Sequence, residues 1–225
     1  MATKKISAMT VATTIADADL IPIVQGGTNK SSSFGLIRAN ADYTLKVLQG
    51  LGSVALAYTL PPYVYVGTTS LVDTREYMVP IYLPKAATVT GVKFVQTTQG
   101  NYTGDQNNRV GLYSVAAGVL TLVASCANDA NFWVNAAGIV TKAFSVPYAA
   151  PAGVYYIGYL YNNSAQTAAP VLAGHAAYTV NMNILDLAND NKLVSYFDAR
   201  TDLVPSTTTM AGTSNATIGA FFMLY

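Results

Sequence analysis

The side chains that could act as catalytic groups are few and do not form a catalytic pattern. His175 is the single histidine and Cys126 the single cysteine among 225 residues. A Ser-His-Asp triad needs a histidine that is oriented by a carboxylate beside a nucleophile. No Gly-x-Ser-x-Gly motif accompanies His175, so we expect this histidine in a loop or at a sheet edge. The sequence therefore predicts no catalytic residue and no enzymatic activity.

The acidic side chains are scattered and indicate neither a glycosidase nor a metal site. They include Asp73, Glu76, Asp105, Asp129, Asp186, Asp190, Asp198 and Asp202. A glycosidase needs two carboxylates about 5 to 10 Å apart, whereas we expect these groups in turns and in solvent. One histidine and one cysteine cannot complete a tetrahedral zinc site. Residues 104–108 and 189–191 are rich in oxygen donors but lack the EF-hand pattern, so neither a metal nor a cofactor is predicted.

Aromatic side chains are the most suggestive candidates for a binding site. The chain has 16 tyrosines and one tryptophan. Both types provide large contact areas at binding surfaces, and in a sugar-binding protein they would stack on pyranose rings. Possible ligand-binding residues are Tyr102, Trp133, Tyr159 and Tyr161. In the alternative, half of the clustered tyrosines face the core and the other half cover a contact between subunits.

Composition favours a protein that buries surface against other copies of itself. Charged residues make up 10% of the chain, against roughly 25% in ordinary globular domains. Hydrophobic residues make up 52%, but no stretch approaches the roughly 20 apolar residues of a membrane helix. The net charge of +1 argues against a nucleic-acid partner, because phosphates require clustered Lys and Arg. We therefore expect an oligomer with neither a membrane nor a nucleic-acid partner.

From residue 61 onward, short β-rich runs alternate with Gly, Pro and Asn turns. This spacing predicts an all-β fold, a jelly-roll-like antiparallel β-sandwich. Alternation within residues 88–95 places Thr88, Thr90, Val92 and Phe94 on one face. Cys126 is expected to be buried on the face of Leu120, Leu122 and Ala124. Strands are predicted at residues 63–66, 77–83, 88–96, 109–114, 120–126, 142–146, 154–161, 171–173 and 217–224.

The ends of the chain differ from this β-rich region. Residues 1–38 are predicted to be an extended arm with strands at 20–24 and 33–37, joined at Gly26-Gly27. Residues 39–60 would be a neck or linker, with a helix and a loose segment as the two alternatives, and residues 61–225 the sandwich. The last strand is apolar on both faces, which indicates a central position in a sheet or a contact between subunits. Its candidate oligomer-interface residues are Phe221, Phe222, Leu224 and Tyr225.

The arm also resembles a known type of segment. The matching residues are Lys5-Ile6-Ser7, Ala12-Thr13-Thr14, Asp19, Ile21-Pro22-Ile23-Val24-Gln25-Gly26-Gly27, and then Thr28, Lys30 and Ser31. They resemble the opening of tailed-bacteriophage structural proteins of the fibre and appendage type. The resemblance implies that Ile21, Pro22, Ile23, Val24, Gln25, Gly26 and Gly27 attach the chain to the virion.

The downstream region is similar to β-sandwich domains of phage fibre and receptor-binding proteins. The similar residues are 110–113, 120–125 and 153–157. The resemblance implies a homotrimer located in the virion, with capsid or tail proteins as partners and a host-surface glycan or protein as a further one. A capsid decoration or head-fibre protein without receptor binding is the alternative. A polysaccharide-degrading fibre enzyme is the weakest of the three hypotheses.

Overall fold

The computed structural model describes residues 20–25, 28–33, 54–59, 67–104, 107–176, 194–204, 208–209, 214–215 and 218–225. These residues form antiparallel strands and no helix. The chain divides into two compact units, Met1–Ser53 and Val54–Tyr225. The expected all-β, antiparallel sandwich is confirmed in the described part of the chain.

The first unit contains a hairpin of β1 (Leu20–Gln25) and β2 (Thr28–Ser33). Gln25 pairs with Thr28, so two residues connect the strands. The expected first strand is confirmed, and the strand that pairs with it begins at Thr28, earlier than the predicted start at Ser33. Residues 34–37 of the predicted second strand lie outside the described residues. A Gly-Gly pair is typical of a two-residue hairpin connection. The polar run that follows it forms the second strand although serine and asparagine have low β-propensity.

In the second unit, one sheet, here called sheet I, has seven strands. The strands are β3 (Ala57–Tyr58), β4 (Gly67–Ser70), β6 (Ala87–Thr98), β10 (Gly138–Ala150), β13 (Val171–Ala176), β17 (Ile218–Ala220) and β18 (Phe222–Leu224). Five of them are hydrogen-bonded in the order β17-β13-β6-β18-β3. Strand β10 pairs with the edge of β6 that is opposite β13 and β18, and β4 pairs with β13.

The facing sheet, sheet II, also has seven strands, in the order β15-β9-β8-β11-β5-β14-β16. They are β5 (Arg75–Leu83), β8 (Arg109–Ala116), β9 (Val119–Ser125), β11 (Gly153–Tyr161), β14 (Ser195–Phe197), β15 (Thr208–Thr209) and β16 (Ser214–Asn215). A separate two-stranded sheet pairs β7 (Asn101–Gly104) with β12 (Asn163–Ala168). In the order of the described strands, the chain passes from sheet I to sheet II after β4, β10 and β13, and from sheet II to sheet I after β5, β9 and β16. Two further crossings, from β6 to β8 and from β11 to β13, include β7 and β12.

The core between the two sheets is largely aromatic and aliphatic. The rings of Tyr159 from sheet II and Phe222 from sheet I lie 5.0 Å apart. Tyr77 stacks on Tyr159 with centroids 5.2 Å apart, and Phe94 and Phe222 are 5.5 Å apart. All four rings belong to one buried cluster, so apolar burial across the sandwich is the main stabilising term of this unit.

Two irregularities change the faces that were expected from simple alternation. The amides of Thr90 and Gly91 both donate to the carbonyl of Tyr225, at 2.7 and 3.3 Å, and two donors on one acceptor mark a β-bulge. Val89 is therefore buried together with Val92 and Phe94. Thr88 is exposed and Thr90 only partly buried, so the expected face of Thr88, Thr90, Val92 and Phe94 was wrong.

Strand β9 has a similar irregularity, which moves Cys126 away from the face expected for it. The register against β8 shifts between Leu112 and Tyr113. Ala124 and Cys126 belong to the core between the sheets, whereas Leu120 and Leu122 belong to a second cluster. Cys126 is only 2% exposed, which confirms that it is buried, and it bridges to Phe144.

The other predicted strands can be compared with the described residues. The strands predicted within 77–161 and at 171–173 fall in β5, β6, β8, β9, β10, β11 and β13. The strand predicted at 217–224 is divided into β17 and β18 at Phe221, whose amide donates to the carbonyl of Ala173 at 2.8 Å. The strand predicted at residues 63–66 lies outside the described residues.

The boundary of the sandwich lies earlier than expected. Ala57 and Tyr58 form β3 and pair with Leu224 and Met223. Residues 54–59 therefore contribute to sheet I, and the proposed neck does not extend to residue 60. Residues 39–53, the remainder of the possible helix, lie outside the described residues.

Candidate functional site

Trp133, one of the four proposed ligand-binding aromatics, belongs to the core. Its side chain is fully buried, and its Nε1–H donates to the carbonyl of Leu160 at 2.9 Å. Phe94 and Phe132 contact the indole with centroids 5.3 and 4.7 Å away. Because the side chain is fully buried and its N–H is already bonded inside the chain, Trp133 is not accessible to a ligand in this structure.

Two of the three proposed ligand-binding tyrosines also belong to the core. Tyr159 and Tyr161 are fully buried. The Tyr159 hydroxyl accepts a hydrogen bond from the Ala220 amide at 3.3 Å, and the Tyr161 hydroxyl bonds to Gln166 at 2.9 Å. Tyr102 is partly exposed and packs edge-on against Tyr161, at 5.0 Å between centroids. The sequence-based assignment of ligand contacts to Trp133, Tyr159 and Tyr161 was therefore wrong.

The proposed oligomer-interface residues divide into two pairs. Phe222 and Leu224 are fully buried inside the chain, because β18 lies between β6 and β3. Their assignment to a contact between subunits was wrong, and the central position in a sheet is confirmed. Phe221 and Tyr225 are partly buried, and Lys93 Nζ lies 5.4 Å from the centre of the Tyr225 ring.

The proposed attachment residues lie in the first unit. Ile21, Pro22, Ile23, Val24 and Gln25 form most of β1 and pair with β2. Gly26 and Gly27 lie outside the described residues. Their role in attachment stays a prediction.

Large apolar side chains are exposed at one end of the outer face of sheet II. Tyr82 and Val154 are opposite each other on β5 and β11 and are 61% and 49% exposed. Pro80, two residues from Tyr82 on the same face, is partly exposed. Within the described part of the chain, β14 pairs with β5 at residues 76–78 and Pro80 lies beyond this pairing, in a position that suits a residue without an amide proton. Pro80, Tyr82 and Val154 are called the Tyr82 patch below.

A buried carboxylic acid lies towards the other end of the same outer face. Glu76 is fully buried, with Oε1 2.8 Å from the Tyr113 hydroxyl and Oε2 accepting from the Val204 amide at 2.6 Å. The Tyr113 hydroxyl is also 3.2 Å from the Val204 carbonyl oxygen. Burial raises the pKa of Glu76 to about 7, although the hydrogen bonds of its carboxyl group with the Tyr113 hydroxyl and the Val204 amide oppose the shift. The expectation that Glu76 is a turn or solvent carboxylate was wrong.

Residues 198–204, called the strap below, contact the outer face of sheet II. Ion pairs join Arg75 to Asp198 and Arg109 to Asp202. The Arg200 amide donates to the Thr74 carbonyl at 2.8 Å. With the Glu76–Val204 bond, these contacts attach the strap to both β5 and β8.

Paired glycines make room for these contacts. Gly158 of β11 is opposite Gly111 of β8. A Cβ atom at Gly158 would lie 2.5 Å from Glu76 Oε1 and 2.6 Å from the Tyr113 ring. A Cβ atom at Gly111 would lie 2.9 Å from a methyl group of Leu203. Glycine at both positions therefore leaves space for the buried acid and the strap.

Other reactive groups are sparse in the described part of the chain. No cluster of three or more His, Cys, Asp or Glu side chains is present among the described residues. Burial raises the pKa of the Cys126 thiol to about 12, which keeps the nucleophilic thiolate rare near neutral pH. His175 lies in β13 opposite Gly219. Among the described residues, no helix is long and apolar enough to cross a membrane.

Sequence reasoning missed the pair of Glu76 and Tyr113 because they are 37 positions apart. One available signal was the placement of Glu76 directly before an apolar strand. A second was a glycine within each of two neighbouring strands, which often marks a close approach. Comparison with protein-family models and with curated proteins found no match to this chain.

Proposed function

We propose that this chain is a non-enzymatic structural protein of a bacteriophage particle, of the fibre or appendage type. The N-terminal segment attaches it to the particle. The sandwich assembles as a homotrimer and contacts the host cell surface.

The observation that carries the proposal is apolar surface left exposed on a chain with few charges. Tyr82, Ile139 and Val146 are 61%, 76% and 71% exposed, while only 10% of all residues are charged. Charged side chains normally keep a monomer soluble and separate from other copies. Contact with neighbouring copies would cover the exposed apolar surface without added charge.

Two further observations support the proposal. Residues 1–38 resemble the opening of phage appendage proteins, and β1 and β2 form a hairpin within that segment. The described residues of the sandwich hold a dense core and no cluster of metal-binding side chains. Repeated weak contacts through a trimer would increase binding to a surface with many receptors.

Measurement of the mass in solution tests the assembly. Light scattering at micromolar concentration should give three times the chain mass of 23.7 kDa. Replacing Tyr82 and Val154 together by serine should weaken assembly, whereas Thr141→Ser, at another exposed position, should not. A monomer at this concentration in the unmodified protein would contradict the proposal.

Binding to cells separates a receptor-binding fibre from a decoration protein. The fluorescently labelled full chain should bind one bacterial host and not unrelated strains. Antibody labelling of phage particles should place the chain on an external appendage. Particle labelling without any host-dependent binding would instead favour the capsid decoration or head-fibre alternative.

A further inference from the structure

We propose that Glu76 is held as a neutral carboxylic acid in this fold, and that its ionisation releases the strap from the outer face of sheet II. The inference is independent of the phage assignment. It concerns a pH-sensitive contact within the sandwich.

The hydrogen-bond geometry fits the neutral acid. If Oε1 carries the proton, it donates to the Tyr113 oxygen at 2.8 Å. The Tyr113 hydroxyl then donates to the Val204 carbonyl at 3.2 Å, and the Val204 amide donates to Oε2 at 2.6 Å. Each donor in this ring of three groups then has one acceptor.

The ionised acid satisfies the same groups less well. Tyr113 has one hydroxyl proton, which would be drawn to the carboxylate because charged acceptors form the stronger bonds. The Val204 carbonyl would then lose its bond from Tyr113. A negative charge would also remain in a site from which water is excluded, which is costly without a paired cation.

The charged groups around Glu76 make their contacts elsewhere. Arg109 on β8 pairs with Asp202 of the strap. Arg200 of the strap directs Nε to the Asp202 carbonyl at 3.3 Å and Nη2 to the Leu203 carbonyl at 3.5 Å.

The remaining elements packed against Glu76 add no charge. It is opposite Leu160 on β11 and Phe197 on β14, and Gly158 lies beside it. Tyr113, the titratable group in direct contact, has a pKa far above its ordinary value because it is buried next to Glu76. No ion pair among the described residues includes Glu76.

The direction of the pH effect follows from the raised pKa. Burial moves the pKa of Glu76 from 4.5 to about 7, so the folded state binds this proton more tightly than the unfolded state. The stabilising contribution is fully present below about pH 4.5 and is lost as the pH rises through about 7. A rise in pH from acidic to neutral therefore weakens the strap contact.

Release of the strap would expose an apolar surface. Val204 packs in a buried cluster with Met78, Tyr113, Leu120 and Tyr156 on the outer face of sheet II. The Tyr82 patch lies on this same face, with Pro80 opposite Tyr156. Release would therefore extend the apolar area of this face from the Tyr82 patch towards Glu76.

Hydrogen exchange of the full chain tests the proposal. The protection factor of the Val204 amide, corrected for the intrinsic effect of pH on exchange, is measured from pH 6 to 8.5. It should fall about tenfold and then level off, because the equilibrium for strap opening changes about tenfold per pH unit only between 4.5 and about 7, the pKa values of the exposed and the buried acid. Constant protection over this range would overturn the proposal.

Two variants identify the group that is responsible. Glu76→Gln keeps an acceptor for Val204 and a donor for Tyr113 but cannot ionise, so protection should become independent of pH. Asp202→Asn, which removes a neighbouring carboxylate from the strap, should retain the pH dependence. A pH-dependent loss in Glu76→Gln equal to that of the unmodified chain would contradict the role of Glu76.

A direct measurement does not depend on the folding of any variant. The carboxyl ¹³C shift of Glu76 in the unmodified chain should show a neutral acid at pH 5.5 and a transition near neutral pH. A Glu76 carboxyl that is already ionised at pH 5.5 would overturn the proposal.

Discussion

The two faces of sheet II are buried by different means. The inner face packs aromatic and aliphatic side chains against sheet I, with Tyr77 and Tyr159 stacked and Ile157 fully buried. The outer face places the acid of Glu76 and the hydroxyl of Tyr113 beneath the strap. Packing dominates on the inner face, whereas a small hydrogen-bonded ring organises part of the outer face.

This difference predicts different responses to mutation and to pH. An apolar core loses stability in proportion to the volume removed and is insensitive to proton concentration. A buried acid responds to both steric change and pH, because its neutral and ionised forms have different energies in the same site. The following predictions proceed from the largest expected effect to the smallest.

Truncation of the core should have the largest effect. Trp133→Ala removes a fully buried indole together with its bond to Leu160, so unfolding free energy should fall by about 3–5 kcal/mol. Urea denaturation measures this. Thr141→Ser, at an exposed position outside the Tyr82 patch, should remain within about 0.5 kcal/mol; a small effect at Trp133 would place it outside the stabilising core.

Filling the space beneath the acid should have the next largest effect. Gly158→Ala places a Cβ 2.5 Å from Glu76 Oε1, and overpacking of this kind costs about 1–3 kcal/mol. Gly111→Ala should cost less, because its closest contacts are methyl groups of Leu122 and Leu203. Thermal or urea unfolding of both variants measures the order, and the reverse order would show that Glu76 moves more freely than Leu203.

Removal of one hydroxyl from the outer face should have a moderate effect. Tyr113→Phe keeps the ring but loses the contacts with Glu76 and the Val204 carbonyl. Unfolding free energy at pH 6 should fall by about 1–2 kcal/mol, since buried polar groups lose a partner. Tyr155→Phe, which loses a part-buried bond to the Pro151 carbonyl, should cost less in the same urea titration. Equal costs would contradict a special role for the Tyr113 hydroxyl.

Loss of a surface ion pair should have the smallest effect. Asp129→Asn removes the charge that lies 3.8 Å from Lys142 Nζ but retains an oxygen that can accept from the Asn131 amide. Both side chains are partly exposed, so the change should be below about 0.5 kcal/mol. A salt titration of stability provides the check, and a cost above about 1 kcal/mol would show that charge pairing matters more here than expected.

The sequence predicted the strands of the sandwich better than it predicted their faces. Apolar runs such as 77–83 and 154–161 coincide with β5 and β11 because apolar and aromatic side chains favour a pleated, buried surface. The faces were less predictable because bulges in β6 and β9 reverse the alternation partway along a strand. Such bulges depend on hydrogen bonds to distant residues, here Tyr225, 134 positions beyond Gly91 in the chain.

The candidate sites were predicted less well than the strands. Tyrosine and tryptophan suit both a ligand surface and a core, and the structure buries Trp133, Tyr159 and Tyr161. The position of Glu76 could not be predicted because its partners come from β8 and from the strap. Composition gives the amount of aromatic surface but not the side of the sheet on which it lies.

Cys126 gives the protein a natural chemical reporter. The residue is 2% exposed and, directly after the end of β9 in sheet II, it forms an isolated β-bridge with Phe144 of β10 in sheet I. A thiol reagent can reach it only when that junction separates. The rate of labelling therefore measures how often the sandwich opens, and comparison with strap exchange at the same pH would show whether the strap moves alone or together with the whole domain.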